Sequence, residues 1–190
     1  MDKNIFNLDA WFIEILRIIK DNGIILLFAS GKFFYKIANS KFNKYLRYEL
    51  IWDKSPNITG FLDCNTRPLT QHEFILYFSK SFFRPSNKNA NCLYNTYNHN
   101  VLTDKNNIKE NGIYSISGSK RKIYKKINNK KHFTSILKFK KYNNIHPSEK
   151  PYNLIYQLIM MYSNENDIVL DTFSGSGITS FVCKMTNRCF

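Results

Sequence analysis

With 190 residues, the chain has the length of one domain, enough to bury about 70% of the surface that it exposes when unfolded. Hydrophobic residues make up 43% of it, which excludes a disordered chain, and no apolar run approaches the length of a membrane span. Lys and Arg outnumber Asp and Glu by 28 to 14, and this excess predicts binding to a polyanion, nucleic acid first. A codon bias towards AT-rich DNA is an alternative source of the lysines.

The first 80 residues alternate helical and strand-like patterns. Apolar side chains recur on one helical face over residues 8–19, with Asn7 in the N-cap position, and a second helical stretch begins near Gly31. Three strands are predicted, at residues 24–29, 48–52 and 74–78. The alternation predicts a layered α/β domain.

The pattern changes after residue 80. Residues 84–118 are rich in Asn, Ser, Tyr and Gly without a sustained period, and residues 119–141 alternate basic clusters with apolar side chains. We interpret residues 81–143 as an inserted module, with little regular structure or with a short basic sheet. The insert separates residues 1–80 from residues 144–190.

Order returns at HPSEKP, residues 146–151, where two prolines stiffen the chain just before a helix. A strand at residues 167–171 then runs into the turn FSGSG, and a further helix is predicted from about Ile178. Gly175 and Gly177 permit a positive φ, so backbone N–H groups and a helix N-terminus can face a ligand. The turn is not a P-loop, because no lysine follows the second glycine.

The N-terminal residues lack the basic-then-apolar order of a secretion signal. The four cysteines are irregularly spaced and form no CxxC pair. We therefore expect a cytoplasmic protein with reduced thiols, without a metal site and without membrane contact.

HPSEKP, one helix and then DTFSGSGIT resemble, in this order, the paired motifs of the S-adenosylmethionine-dependent amino-methyltransferases of DNA. The resemblance is to the subgroup whose cofactor-binding glycine turn, DPFxGSGTT, lies C-terminal to the catalytic region and the target-recognition segment. The stretch IWDKSPNITGFLDCNTRPLTQHEFILYFSK is similar to the strand, loop and strand before that segment. The resemblance covers nearly the whole chain and implies a Rossmann-like α/β sheet flanked by helices.

The resemblance also implies S-adenosylmethionine as the cofactor. Residues of the glycine turn would line its pocket, namely Asp171, Phe173, Ser174, Gly175, Ser176, Gly177 and Thr179. Residues of the proline-stiffened loop would close the other side, namely His146, Pro147, Ser148, Lys150 and Pro151.

Double-stranded DNA is the partner that the resemblance implies, with the insert at residues 81–143 as the target-recognition segment. Basic side chains there would contact phosphates, namely Lys120, Arg121, Lys122, Lys125, Lys126, Lys130 and Lys131. Arg67 and His72 would lie near the pocket of the target base.

The chemistry of this family uses a further motif, DPPY or a close variant, but the sequence contains no PP dipeptide. In the family, that motif accepts hydrogen bonds from the exocyclic amine of a base flipped out of the duplex. In the family's sheet, the strand that carries the DPPY motif lies between the strands that correspond to residues 24–29 and 167–171 of this chain. An acidic ribose-binding residue normally follows the glycine turn by about 20 residues. We therefore expect a fragment truncated at both ends, with an incomplete sheet, no catalytic residue of its own and little activity alone.

The sequence leaves several functions open. The stretch TRPLTQHEFILYFSK favours a site-specific methyltransferase for the N6 amine of adenine, of the restriction–modification kind, and the N4 amine of cytosine is the nearest alternative. A non-catalytic DNA-binding remnant, or a subunit completed by a second chain that supplies the missing motif, is an alternative of a different class. The large basic insert disfavours a methyltransferase for RNA or small molecules.

Overall fold

The computed structural model describes residues 6–81, 97–98, 130–131, 133–141 and 149–190. The chain forms two compact units. The first consists of Met1–Asn95 and Thr134–Phe190, and the second of Thr96–Phe133. In the second unit, strands β4 (Tyr97–Asn98) and β5 (Lys130–Lys131) form an antiparallel pair.

The described residues of the first unit form four α-helices, and all four were predicted. They are α1 (Leu8–Ile18), α2 (Gly31–Ala38), α3 (Tyr152–Tyr162) and α4 (Ile178–Met185). The Asn7 side chain accepts a hydrogen bond of 3.1 Å from the backbone N–H of Ala10, which satisfies an otherwise unpaired donor in the first turn of α1. Among the helices that the structure describes, none is long and apolar enough to cross a bilayer.

A four-stranded mixed sheet forms the centre of this unit, in the order β1-β3-β2-β6. Its strands are β1 (Ile24–Ala29), β2 (Leu46–Asp53), β3 (His72–Ser79) and β6 (Ile136–Lys138). Strand β3 is antiparallel to both β1 and β2, whereas β6 is parallel to β2. Strands β1, β2 and β6 therefore point the same way, and their carboxyl ends meet at one edge of the sheet.

Helices cover both faces of the sheet. On one face, Phe12 of α1 and Ile37 of α2 are completely buried against alternate residues of β1 and β3. On the other face, Leu154 and Leu158 of α3 pack against Trp52 and neighbouring strand residues. Each such side chain contributes about 1.5–3 kcal/mol of hydrophobic stabilisation, so packing on both faces fixes the layered α/β fold.

The strand predicted at residues 167–171 is reduced in the structure to one parallel bridge, between Ile168 and Cys189. The prediction of a sheet strand here is wrong for the described residues. Apart from the bridge to Cys189, no described residue forms a strand pairing with the backbone of this segment. Val169 is partly buried against α3 and α4, while Ile168 and Leu170 are 75% and 61% exposed. The segment therefore has one packed face and one open face.

Candidate functional site

The carboxyl edge of the parallel strands is where open α/β sheets hold their ligands. Strand β1 ends there at Ala29, β2 at Asp53 and β6 at Lys138. Two segments with candidate binding residues lie at this edge, and side-chain contacts fix both of them to it. They are the glycine turn at residues 171–177 and the end of the proline-stiffened loop at residues 149–151.

The glycine turn has the backbone conformation that its sequence predicts. Gly175 and Gly177 have φ values of +49° and +76°, in the left-handed region that favours glycine. The N–H of Gly177 donates to the carbonyl of Ser174 at 2.7 Å, and the N–H of Phe173 donates to the Asp171 carboxylate at 2.9 Å. These bonds close the turn directly before α4.

The amino end of α4 is open to a ligand. No described side chain caps it, so the first backbone N–H groups of the helix are available to an acceptor. Ser174, Gly175 and Ser176 are exposed, while Gly177 and Thr179 are partly buried. An uncapped helix start beside the small residues 174–177 of the turn can accommodate a polar or anionic group of a ligand.

Aromatic contacts fix the glycine turn to the first helices. Phe173 makes ring contacts with Phe6 at 5.4 Å and with Trp11 at 5.8 Å between centroids. The indole N–H of Trp11 donates to the hydroxyl of Thr172 at 3.1 Å. Phe6 also contacts Phe33, in the first turn after β1. The turn therefore lies at the carboxyl end of β1, and the sequence pattern of α1 contains no signal for this role of Trp11.

The proline-stiffened loop reaches the same edge. His146, Pro147 and Ser148 lie outside the described residues. Pro151 is buried in the N-cap position of α3, and its carbonyl accepts the N–H of Leu154 at 3.0 Å. The ammonium of Lys150 lies 4.9 Å from the ring centroid of Phe28, near the end of β1.

Helices α3 and α4 bring the loop and the turn together. The rings of Tyr152 and Phe181, in the first turns of the two helices, are 6.0 Å apart. Deeper along the pair, Ile155 of α3 packs with the fully buried Val182 and Cys183 of α4. The loop and the turn therefore precede two neighbouring helices of one packed unit.

Charged side chains link the loop to the sheet. The Lys150 ammonium donates to one carboxylate oxygen of Glu73 at 2.9 Å. The Lys54 ammonium lies 3.4 Å from the other oxygen of the same carboxylate. Only 4% of the Lys54 side chain is exposed, and 22% of each of the other two. Sequence patterns contain no signal for this cluster, because its members lie up to 96 positions apart in the chain.

The residues predicted to contact DNA fall into three groups. Arg67 is half exposed and donates to the Asp63 carboxylate at 2.7 Å, and His72 is exposed with its ring edge-on to Phe74. Lys130 and Lys131 belong to strand β5. The others, Lys120, Arg121, Lys122, Lys125 and Lys126, lie outside the described residues.

Two titratable groups near this edge and below it have shifted pKa values. Hydrogen bonds from the Ser55 side chain and backbone lower the pKa of Asp53, at the end of β2. Burial raises the pKa of the Cys183 thiol, on the buried face of α4. Within the described ranges, no group of His, Cys, Asp and Glu is arranged to hold a metal ion.

The sheet, its two helical layers and the glycine turn at the carboxyl edge define a Rossmann-like α/β domain, a class of fold whose ligands are usually bound at that edge. Comparison with protein families gives a more specific result. The sequence profile of the N6/N4-type DNA methylases, described as DNA methylase, matches residues 2–190. The chain therefore belongs to this DNA methylase family.

Three relatives illustrate the likeness in sequence. The chain is 29% identical to the type II methyltransferase M.HinfI of Haemophilus influenzae over 95% of its own length. It is 28% identical to M.HpaI of Haemophilus parainfluenzae over 94%, and 27% identical to M.HindIII of Haemophilus influenzae over 96%. These alignments cover 45%, 51% and 62% of the three relatives, so the chain spans about half of their length.

Solved structures show the same fold. The M1.HpyAVI–SAM complex superposes with a TM-score of 0.59 at 24% identity, covering 97% of this chain and 75% of that one. The cytosine-N4-specific PvuII DNA methyltransferase superposes with a TM-score of 0.60 at 14% identity, covering 95% of this chain and 63% of that one. The predicted fold class, an incomplete Rossmann-like sheet flanked by helices, is confirmed.

Proposed function

We propose that this chain forms the cofactor-binding and DNA-recognition part of a site-specific DNA methyltransferase, with the N6 amine of adenine as the preferred target. The convergence of the glycine turn and the Lys150–Pro151 end of the loop at the carboxyl edge of the sheet supports the proposal most strongly. The cofactor would be S-adenosylmethionine, which supplies an electrophilic methyl group when it is bound.

The residues of this edge fit such a cofactor. The uncapped N-terminus of α4 offers backbone N–H groups to a polar or anionic group, and Gly175 and Gly177 leave room because they lack a Cβ atom. Asp171 is partly exposed at the start of the turn, where its carboxylate can accept a hydrogen bond from a ligand hydroxyl. The remaining predicted residues of the turn and of the loop are proposed to line the same site, and Lys150 would act there through the position of the loop and not by direct contact.

DNA would bind through charge. The chain carries a net charge of +14, and lysines and arginines that neutralise phosphates produce affinity that falls steeply with salt. We assign this role to the basic segment at residues 119–141, with Arg67 and His72 nearer to a flipped-out target base. The protein would act in the cytoplasm, as the modification enzyme of a restriction–modification pair.

Methyl transfer would require a segment that this sequence does not contain. With no DPPY-type motif, no residue here is proposed to bind the reacting amine. Strand β1 is an edge strand of the described sheet, and Ile168 and Leu170 expose apolar side chains beside the glycine turn. Both features support a second chain that would add the missing strand and motif.

Two alternatives remain. Methylation of the N4 amine of cytosine would use the same edge and the same cofactor, and the PvuII enzyme named above, which shares the fold, is cytosine-N4-specific. A non-catalytic DNA-binding subunit would keep the basic segment and dispense with the cofactor. The glycine turn, with its positive φ values and uncapped helix, favours a protein that binds the cofactor.

The test uses the purified chain with tritiated S-adenosylmethionine and double-stranded DNA. We expect calorimetry to detect one cofactor per chain and a filter assay to detect little methyl incorporation, which should rise when a chain carrying a DPPY-type motif is added. Digesting the labelled DNA to nucleosides distinguishes N6-methyladenine from N4-methylcytosine. DNA binding without any heat from the cofactor would establish the non-catalytic alternative instead.

A further inference from the structure

Three charged side chains from distant parts of the chain meet below the candidate cofactor edge. Lys54 follows β2, Glu73 belongs to β3, and Lys150 lies two residues before α3. The Glu73 carboxylate accepts a hydrogen bond from each ammonium, at 3.4 Å from Lys54 and 2.9 Å from Lys150. We call these three residues the charge cluster.

Aromatic rings enclose the cluster. The Lys150 ammonium lies 4.9 Å from the ring centroid of Phe28 and 5.4 Å from that of Trp52, and the Lys54 ammonium lies 5.9 Å from the Trp52 ring. Trp52 is completely buried, and its indole N–H donates to the carbonyl of Phe139 at 2.8 Å. The ring that the lysines cover is therefore itself fixed in place.

This geometry directs the Lys150 ammonium towards the sheet. A carboxylate and two ring faces already surround it, so its charge is compensated within the protein. We propose that Lys150 serves as a positioning residue that acts through Glu73, and that the charge cluster holds the loop before α3 at the distance from the glycine turn that the cofactor requires. This inference rests on the proposed function.

The loop can transmit such an effect because it has little freedom between the cluster and α3. Pro151 follows Lys150 directly and is buried, and its carbonyl accepts hydrogen bonds from the N–H groups of Leu154 and Ile155 in the first turn of the helix. Helix α3 then packs along α4, which begins at the glycine turn. A displacement of Lys150 therefore changes the position of the loop relative to the turn.

Lys150→Met is the informative variant, because it leaves Glu73 paired with the buried Lys54 and preserves a balanced ion pair. We expect its dissociation constant for S-adenosylmethionine to rise about tenfold, as is typical for partners in one ion-pair network. Lys150→Arg keeps the charge and can reach the same carboxylate, so it should recover most of this loss. Glu14→Gln, which breaks the exposed ion pair with Arg17 at 2.7 Å, serves as the matched control without effect.

A double-mutant cycle distinguishes positioning from direct contact with the cofactor. If Lys150 acts through Glu73, then Glu73→Gln combined with Lys150→Met should bind the cofactor no more weakly than the weaker single variant. Losses that multiply in the double variant would overturn the proposal. Glu73→Gln leaves Lys54 buried without a carboxylate partner, which can prevent folding. If Glu73→Gln does not fold, the whole cycle is repeated in a background that carries Lys54→Met.

Hydrogen exchange separates this proposal from the proposed function. In the absence of cofactor, amides of residues 149–155 should exchange faster in Lys150→Met than in the wild type or in Glu14→Gln. Unchanged exchange there would refute the positioning role. If the wild type binds no S-adenosylmethionine but exchange is still faster in Lys150→Met, the proposed function is refuted. The charge cluster is then retained as the anchor of the loop.

Discussion

Replacing Gly177 by alanine tests the glycine turn directly, because strain and crowding can be separated there. Its φ is +76°, and an added Cβ atom would meet Ser180 Oγ at 3.5 Å, an ordinary van der Waals distance. The cost is therefore that of holding an L-residue in the left-handed region, about 1–2 kcal/mol. For a chain of this length, that loss lowers the melting temperature by about 2–8 °C.

Urea unfolding followed by circular dichroism measures this loss, and Gly31→Ala is its matched control. Gly31 has a φ of +52° at the start of α2, and no described atom lies within 4 Å of its added Cβ. Both variants should lose similar stability, whereas Gly177→Ala alone should also weaken S-adenosylmethionine binding. Wild-type stability in Gly177→Ala would refute the strain argument. Equal affinity of the two variants for S-adenosylmethionine would show that the turn does not contact the cofactor.

Three further predictions follow from burial and from the shifted pKa values. Leu154→Ala should cost about 2–5 kcal/mol in urea unfolding, because this fully buried side chain joins α3 to the sheet. The buried Cys183, whose pKa is raised by burial, should react with an aromatic disulfide much more slowly than the exposed Cys189, as site-resolved mass spectrometry would measure, until the protein is unfolded. The Asp53 carboxyl should titrate by NMR below its ordinary pKa because of Ser55, so the stability it contributes is present above about pH 4 and is lost as the pH falls through the lowered value.

Local patterns in the sequence predicted the elements of the fold well. The one-face pattern of residues 8–19 marks α1 because a helix repeats every 3.6 residues, and the apolar run at 24–29 coincides with β1. The segment at 167–171 has the same strand-like composition, yet it forms only one bridge. A strand needs a neighbour to pair with, and composition carries no information about neighbours.

Strand β6 is the opposite case, a strand that forms although its sequence did not predict one. Residues 136–138 lie within the predicted insert, but they pair in parallel with β2, and the buried Leu137 packs in the core below α3. Three residues give too short a pattern to indicate a strand. The limits of the insert and its role as the recognition segment stay predictions.

Site residues divide according to how local their signal is. The positive φ values of Gly175 and Gly177 follow from residue type, and the structure confirms them. The bond between Glu73 and Lys150 joins positions 77 apart, and that between Trp11 and Thr172 joins positions 161 apart. Such pairs depend on the tertiary fold, so residue spacing alone could not identify Glu73 or Trp11.

The way in which the glycine turn is held gives the proposed second chain a physical role beyond supplying a motif. In the described residues, hydrogen bonds of the sheet do not reach the turn, which is fixed instead by α3–α4 packing and by the Trp11–Thr172 bond. A strand that paired with the open edge of β1 and covered Ile168 and Leu170 would restrain the turn and reduce the entropy that cofactor binding must remove. Thermodynamic linkage makes this effect reciprocal, so S-adenosylmethionine should strengthen binding of that chain by the same factor by which the chain strengthens binding of the cofactor.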